Sequence, residues 1–207
     1  MITRDLRTME RREVYRVLSS VVVPRPVAWV TTLGAGGTLN LAPFSSFQGI
    51  FSPPVLSLNI GRRRDGSLKD THRNLRERKE AVVHLADRPL LAALHASGEE
   101  VAPEVSEAAR LGLETAPSTA VAPPRLAAAP VALECRLRQE VELDARSTLV
   151  LLDVLLLHAA DRLWDAQLDC GRGDLWEPVT RLVGGQGNGP NYAFLGERVT
   201  LGPSKLP

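Results

Sequence analysis

Two long strand candidates that follow each other in the second half of the chain constrain the fold most. They run from Val131 to Leu143 and from Thr148 to His158, and Asp144-Ala145-Arg146-Ser147 separates them. Polar residues of this kind favour a turn between strands. The sequence therefore predicts a long antiparallel hairpin in this region.

Shorter strand candidates occupy the first half of the chain. Val27 to Leu33 is rich in β-branched residues, Gly34-Ala35-Gly36-Gly37 follows it, and Thr38 to Ala42 resumes an alternating pattern. This succession predicts a second hairpin. Two further strands are predicted from Val55 to Ile60 and from Ala81 to Ala86.

Helices are predicted before and between these strands. Apolar residues at helical spacing predict a helix over about residues 10–20, which ends before Pro24-Arg25-Pro26. Ser67-Leu68-Lys69-Asp70 has the pattern of a capping box, so a second helix is predicted from about Leu68 to Lys79.

Strands dominate, and no regular alternation of strand and helix runs through the chain. We therefore expect a mainly β protein, an antiparallel barrel or sandwich with inserted helices, rather than a doubly wound parallel sheet. The glycines at 34–37 do not match G-x-G-x-x-G and precede a strand, which excludes a Rossmann fingerprint there. The 207 residues contain no linker between two cores, so they predict one domain.

Composition and charge exclude several classes of protein. A net charge of +1 creates no global field that favours nucleic acid or an acidic membrane. The longest apolar run, Leu149 to Leu157, is interrupted by Asp153, and the N-terminus has no apolar stretch of signal-peptide type, so we expect a cytoplasmic protein. Cys135 and Cys170 do not form a C-x-x-C pair and the four histidines are scattered, so we expect no disulfide framework and no zinc site.

Polar residues near the predicted strand ends are the candidate ligand site. They form three clusters: Thr31-Thr32, Ser45-Ser46, and Lys69-Asp70-Thr71 with Arg62, Arg63 and Arg64 nearby. Residues 61–79 hold eight Arg/Lys against three Asp/Glu, and the helix predicted there offers the free amides of its N-terminus. Such groups suit a phosphate.

Simpler interpretations of the same residues stay open. The basic run is equally typical of a solvated helix face, and without interleaved aromatic residues it is a weak nucleic-acid site. The hydroxyls can satisfy their own backbone, and Trp29 is typical of a core residue. No catalytic triad, carboxylate pair or metal cluster stands out in the sequence.

Five segments in the expected order resemble the flavin reductase-like, FMN-binding split-barrel family, above all its flavoredoxin-like branch. They are Val23 to Thr32, Asn40 to Phe47, Gly61 to Thr71, Pro130 to Cys135, and Arg181 to Gly185. The resemblance implies a six-stranded Greek-key split β-barrel that forms a homodimer with FMN near the subunit interface.

The resemblance also implies which residues bind the cofactor. The segment 28–32 would line the isoalloxazine and ribityl chain, the segment 42–46 would add backbone and hydroxyl contacts, and the residues after 61 would grip the phosphate. The implied cofactor-binding residues are Ala28, Trp29, Val30, Thr31, Thr32, Ala42, Pro43, Phe44, Ser45, Ser46, Arg62, Lys69, Asp70 and Thr71. In this chain Gln186 to Asn191 separates Gly185 from Tyr192, which leaves open whether Tyr192 contacts the flavin.

The activity implied by the resemblance is hydride transfer from NAD(P)H to the flavin, with free flavin, oxygen or a partner protein such as an oxygenase as the electron acceptor. No side chain need act as acid, base or nucleophile, so no catalytic residue is expected. The alternatives are an FMN-binding electron carrier without nicotinamide turnover and a structural dimer without ligand. The sequence does not distinguish NADH from NADPH, or bound FMN from FMN released as product.

Overall fold

The computed structural model describes residues 1–182, 191–197 and 199. The α-helices of this part are α1 (Arg11–Val21), α2 (Asp70–Arg78), α3 (Leu91–Ala96) and α4 (Glu107–Arg110). The strands are β1 (Arg25–Pro26), β2 (Ala28–Leu33), β3 (Leu39–Phe44), β4 (Phe47–Ile50), β5 (Val55–Gly61), β6 (Glu80–Leu85), β7 (Thr115–Ala116), β8 (Arg125–Leu126), β9 (Val131–Asp144), β10 (Ser147–Ala159), β11 (Trp164–Asp165), β12 (Cys170–Gly171), β13 (Thr180–Arg181) and β14 (Tyr192–Ala193). Residues 183–190 lie outside the described part of the chain. They include Gly184 and Gly185, which belong to the last segment that resembles the family.

The main sheet has seven antiparallel strands in the order β3-β2-β6-β9-β10-β5-β4. Its longest pairing joins β9 to β10, as predicted, and Asp144 Oδ1 closes their turn by accepting hydrogen bonds from the Arg146 N–H at 2.8 Å and the Ser147 hydroxyl at 3.0 Å. The implied count of six strands is wrong by one for this sheet. Strand β4 lies at one edge of the sheet, where it pairs with β5 and Phe47 packs against the core. The predicted mainly β class is confirmed.

Strand β2 is buried on both faces and separates two apolar clusters. Ala28 and Val30 point into the barrel, where Leu58 and Leu152 are fully or almost fully buried. Trp29 points the other way, into a cluster covered by α3 and α4. A strand that is enclosed on both sides has a continuous apolar sequence, which explains the run from Val27 to Val30.

Cys135 belongs to the first of these clusters, as predicted for a buried thiol. Burial raises the pKa of the Cys135 thiol to about 12. The thiol therefore stays protonated at physiological pH and is chemically inert.

Helix α1 follows the prediction closely, and Glu10 and Glu13 form a reciprocal capping box at its start. Several large apolar side chains of this helix and of its C-terminal end are exposed, among them Tyr15, Val21 and Val22. No helix in the described part of the chain is long and apolar enough to cross a membrane.

A proline-rich loop, defined here as residues 117–126, lies against β6 and β9. The carboxylate of Glu134 on β9 is fully buried and accepts hydrogen bonds from the backbone N–H groups of Thr119, Ala120 and Val121. These bonds hold the loop on the barrel, because a buried carboxylate requires several donors.

Candidate functional site

Helix α2 brings the predicted Lys69, Asp70 and Thr71 together at its N-terminal end. Lys69 has extended backbone angles, and the helix begins at Asp70. The predicted capping box at Ser67 is wrong, because the Ser67 hydroxyl donates to Asp65 Oδ1 at 2.7 Å inside the preceding turn. The N-cap residue makes no side-chain hydrogen bond, so the amides of the first turn are available to an anion.

The carboxylate of Asp70 is compensated by two arginines. It forms ion pairs with Arg63 from the preceding loop and with Arg73 one turn later in α2. Arg63 also lines a groove next to the start of α2, whereas the predicted Arg62 does not line this groove. Of the three neighbouring arginines at 62–64, Arg63 is thus the one that pairs with Asp70 and lines the groove.

Thr71 is buried, with 1% of its surface exposed. Asn40 Nδ2 donates hydrogen bonds to Thr71 Oγ1 at 2.9 Å and to Thr32 Oγ1 at 3.2 Å, and Asn74 Nδ2 donates to Thr32 Oγ1 at 3.0 Å. A hydroxyl that accepts in this way keeps its own hydrogen for another acceptor. The Thr71 hydrogen is therefore available for an acceptor in the groove next to α2, which Thr71 lines.

The α2 groove is defined here as two adjoining parts that share Pro43, Gly98 and Glu99. Its narrow part, at α2, has a volume of about 80 Å³, and its wide part has about 360 Å³. The other predicted residues in the narrow part are Ala42, Phe44, Lys69, Asp70 and Thr71, and the wide part contains Ser45.

The segment 28–31 lies behind the groove rather than on its surface. Trp29 is fully buried and its Nε1 donates to Ser97 Oγ at 2.8 Å, so the indole has the structural role considered from the sequence. The Thr31 hydroxyl donates to the Pro124 carbonyl at 2.9 Å. Ser46 is exposed, and its carbonyl accepts from the Asn59 N–H at 2.9 Å.

Four carboxylates also line the narrow part, and the sequence did not single out three of them: Glu99, Glu100 and Glu107. Glu99 pairs with Arg110 at 2.8 Å. Glu107 is buried and accepts a hydrogen bond from the Leu41 N–H at 2.8 Å. Burial raises the pKa of Glu107, although the bond from Leu41 opposes this shift. Asp70 and Glu99 are thus paired with arginines, and Glu107 is more readily protonated than an exposed carboxyl.

The wide part contains a hydrogen-bonded set that the sequence did not predict. Arg181 Nη1 donates to Tyr192 Oη at 3.0 Å, and His95 Nδ1 lies 3.1 Å from the same oxygen. The Arg181 guanidinium also lies 4.9 Å from the centre of the Tyr192 ring. Tyr192 thus lines the groove, although six residues separate it from the glycine pair.

The two ends of the α2 groove suit different parts of one ligand. Lys69, the Thr71 hydroxyl and the first amides of α2 provide charge and donors for a phosphate. The wide part provides aromatic and cationic side chains beside a larger space, which suits a flat ring. The α2 groove thus suits a ligand that joins a phosphate to a planar ring.

Comparison with known families identifies the class more closely. The model of the flavin reductase like domain matches residues 19–170 of the chain. The chain therefore belongs to the flavin reductase-like domain family, and the resemblance seen in the sequence is confirmed. It is a flavin-related oxidoreductase with the split-barrel fold.

Similar proteins cover almost the entire chain. An uncharacterized protein of Bacillus subtilis, YwrF, is 35% identical over 199 residues, which are 93% of this chain and 94% of that protein. The structure of the 2-nitrobenzoate 2-nitroreductase NbaA of Pseudomonas fluorescens matches with a TM-score of 0.89 at 29% identity and covers 100% of this chain and 98% of its own. Component B of the nitrilotriacetate monooxygenase of Bacillus cereus matches with a TM-score of 0.88 at 30% identity, covering 97% and 98%.

Proposed function

We propose that this protein binds FMN in the α2 groove and reduces it with NAD(P)H. The observation that carries the proposal is the arrangement of Lys69, Thr71 and the uncapped N-terminus of α2 at the narrow end of a groove whose other end is wide. When bound, FMN would supply the redox chemistry: it accepts a hydride at N5 from the nicotinamide C4 and later releases the electrons. The related nitroreductase and monooxygenase component B support an oxidoreductase of this kind.

The residues of this chain would hold and orient the cofactor. Lys69 and Thr71 bind the phosphate, and the Asn40 amide keeps the Thr71 hydroxyl directed at it. The segment 42–45 lines the groove between its two ends, so its backbone faces the ribityl chain and the ring. Arg181 places positive charge at the wide end, where reduction makes the ring more negative.

Of the other predicted contacts, Thr32 acts through Asn40, which donates to both threonines. Asp70 orients Arg63 at the groove through their ion pair. Ala28, Trp29 and Val30 lie on β2, which pairs with β3 in the sheet. Arg62 and Ser46 stay predicted contacts, although neither lines the groove. The electron acceptor is free flavin, oxygen or a partner protein such as an oxygenase, the last in keeping with the related component B.

An absorbance titration with FMN tests the phosphate assignment. Lys69→Ala removes a charged donor, so the affinity for FMN should fall about tenfold. Thr71→Val should have a similar effect because it removes the hydroxyl, whereas Thr71→Ser keeps the hydroxyl and should bind FMN almost as the natural protein does. Arg64→Ala is the matched control for charge, since Arg64 is exposed and outside the groove. Unchanged affinity in both Lys69→Ala and Thr71→Val would refute the assignment.

Anaerobic addition of NADH or NADPH to the FMN-loaded protein tests the reaction itself. Flavin bands that bleach with one nicotinamide identify the donor. Bands that persist until dithionite is added would instead indicate the electron carrier without nicotinamide turnover, and a protein that retains no flavin would favour the structural dimer.

A further inference from the structure

A second cleft, which adjoins the α2 groove, contains four arginines. The arginine cleft is defined here by residues of α1, β1 and β13, and its volume is about 450 Å³. The side chains that line it are Arg12, Glu13, Tyr15, Arg16, Ser19, Arg25, Arg181 and Leu182. Four guanidinium groups face one carboxylate here, in a chain whose net charge is +1. The cleft is therefore a local concentration of positive charge.

The charges of these arginines are largely uncompensated. Within residues 1–182, 191–197 and 199, neither Arg12 nor Arg25 nor Arg181 has a carboxylate within 4 Å, and Arg16 reaches Glu13 only at 3.9 Å on the exposed helix surface. Arg25 Nε is buried, and no acceptor in the described part of the chain reaches it. A buried donor on a charged group costs free energy unless an acceptor reaches it. Among the described residues, the positive charge of the cleft therefore has little negative charge to balance it.

Arg181 connects the arginine cleft to the α2 groove, because it lines both. Its Nη1 donates to Tyr192 Oη in the groove and its Nε donates to the Leu182 carbonyl. A guanidinium has five N–H donors, so three of them have no partner among the residues that the structure describes. A ligand with a ring in the wide part of the groove can therefore place an attached anionic group against Arg181.

We propose that the arginine cleft binds the diphosphate of a nicotinamide dinucleotide whose nicotinamide enters the wide part of the α2 groove. The inference rests on the proposed function for the place of the nicotinamide. Four guanidinium groups exceed what a single carboxylate can pair with, whereas a diphosphate offers several oxygens for bidentate contacts. The cleft thereby holds the donor, while Lys69 and Thr71 hold the cofactor.

The double variant Arg12→Gln/Arg16→Gln tests this proposal without altering the groove. Both residues are exposed on α1, so the fold should persist. Isothermal titration of the FMN-loaded protein with NAD⁺, and separately with inorganic pyrophosphate, should show affinities about tenfold weaker in the variant, a loss of 1.4 kcal/mol. Arg11→Gln is the matched control, because Arg11 lies on the same helix and pairs with Asp144 outside the cleft. This control should bind both ligands as the natural protein does.

Stopped-flow reduction separates the diphosphate from the nicotinamide ring. The second-order rate of flavin bleaching by NADH should fall about tenfold in the double variant. Bleaching by 1-benzyl-1,4-dihydronicotinamide, which has the same reacting ring and no phosphate, should change less than about twofold. An equal loss with both donors, or no loss with NADH, would overturn the proposal.

The titrations also separate this proposal from the proposed function. The natural protein could bind NAD⁺ and pyrophosphate through these arginines while neither NADH nor 1-benzyl-1,4-dihydronicotinamide bleaches the flavin. In that case the proposed reductase activity is refuted and the assignment of the arginine cleft is supported. If the natural protein binds neither ligand, or the double variant binds both unchanged, the site is refuted whatever the flavin does. Binding of a benzoate at the same arginines without binding of NAD⁺ would refute it in favour of a carboxylate site.

Discussion

His84 is the buried group whose protonation should most weaken this fold. It lies on β6, completely enclosed, and its two ring nitrogens have different partners. Nδ1 lies 2.8 Å from the Trp29 carbonyl, so it carries the hydrogen, and Nε2 accepts a hydrogen bond from the Leu126 N–H at 2.9 Å. The neutral ring thus joins β2 to the proline-rich loop, and a second proton at Nε2 would face the Leu126 N–H.

The size of the effect follows from the pKa. Burial lowers the pKa of His84 from 6.5 to about 4, although the bond to Trp29 opposes this shift. Between these values the unfolded chain binds a proton that the folded chain does not, so stability is present above pH 6.5 and is lost as the pH falls. At about 1.4 kcal/mol per unit, His84 alone removes about 2 kcal/mol between pH 6.5 and 5 and about 3 kcal/mol by pH 4. Burial also lowers the pKa of His72, which adds loss in the same direction.

Urea denaturation from pH 7.5 to 4.5 measures this loss. The free energy of unfolding of the natural protein should fall by about 2 kcal/mol more than that of His84→Gln between pH 6.5 and 5, because the variant lacks the titrating group. Proton NMR of the natural protein provides a check that needs no stable variant, since the ring protons of His84 should begin to titrate only below pH 5. A midpoint near pH 6.5 for these protons, or equal pH dependence in the two proteins, would refute the reasoning.

Two further predictions concern the loop and the assembly. Glu134→Gln should lower the free energy of unfolding by about 3 kcal/mol and speed amide exchange at Thr119 and Ala120. The reason is that a neutral amide cannot accept all the hydrogen bonds that the buried carboxylate accepts. An unchanged free energy of unfolding would show that Glu134 does not hold the loop. Sedimentation velocity should give about twice the 22.5 kDa of one chain, because Val21, Val22 and Phe51 expose large apolar surfaces that a second copy would cover. A monomer at micromolar concentration would contradict the predicted homodimer.

The hydrogen bonds at the α2 groove show where sequence reasoning was sufficient and where it stopped. Lys69 and Thr71 can be predicted as phosphate contacts from the sequence, because cations and hydroxyls at a helix start suit a phosphate wherever the rest of the chain lies, and this assignment stays a prediction. Arg63 could not be separated from Arg62, because the choice depends on how the loop turns before Asp70. The capping box predicted at Ser67 is wrong, since the Ser67 hydroxyl donates to Asp65 instead, and sequence spacing does not reveal which nearby group the serine bonds to.

Local patterns by themselves determined the β-rich character of this protein, the hairpins β2–β3 and β9–β10, the burial of Cys135 and the length of α1. These features depend on turn residues and on apolar periodicity within a few positions, so they can be read along the chain. The tertiary structure alone decided which face of β2 carries Trp29, that β4 joins the sheet edge, and that Asn40, Glu107, Arg181 and Tyr192 meet at one groove. Residues far apart in sequence become neighbours only when the sheet closes, because their contacts are set by strand order and register rather than by local propensity.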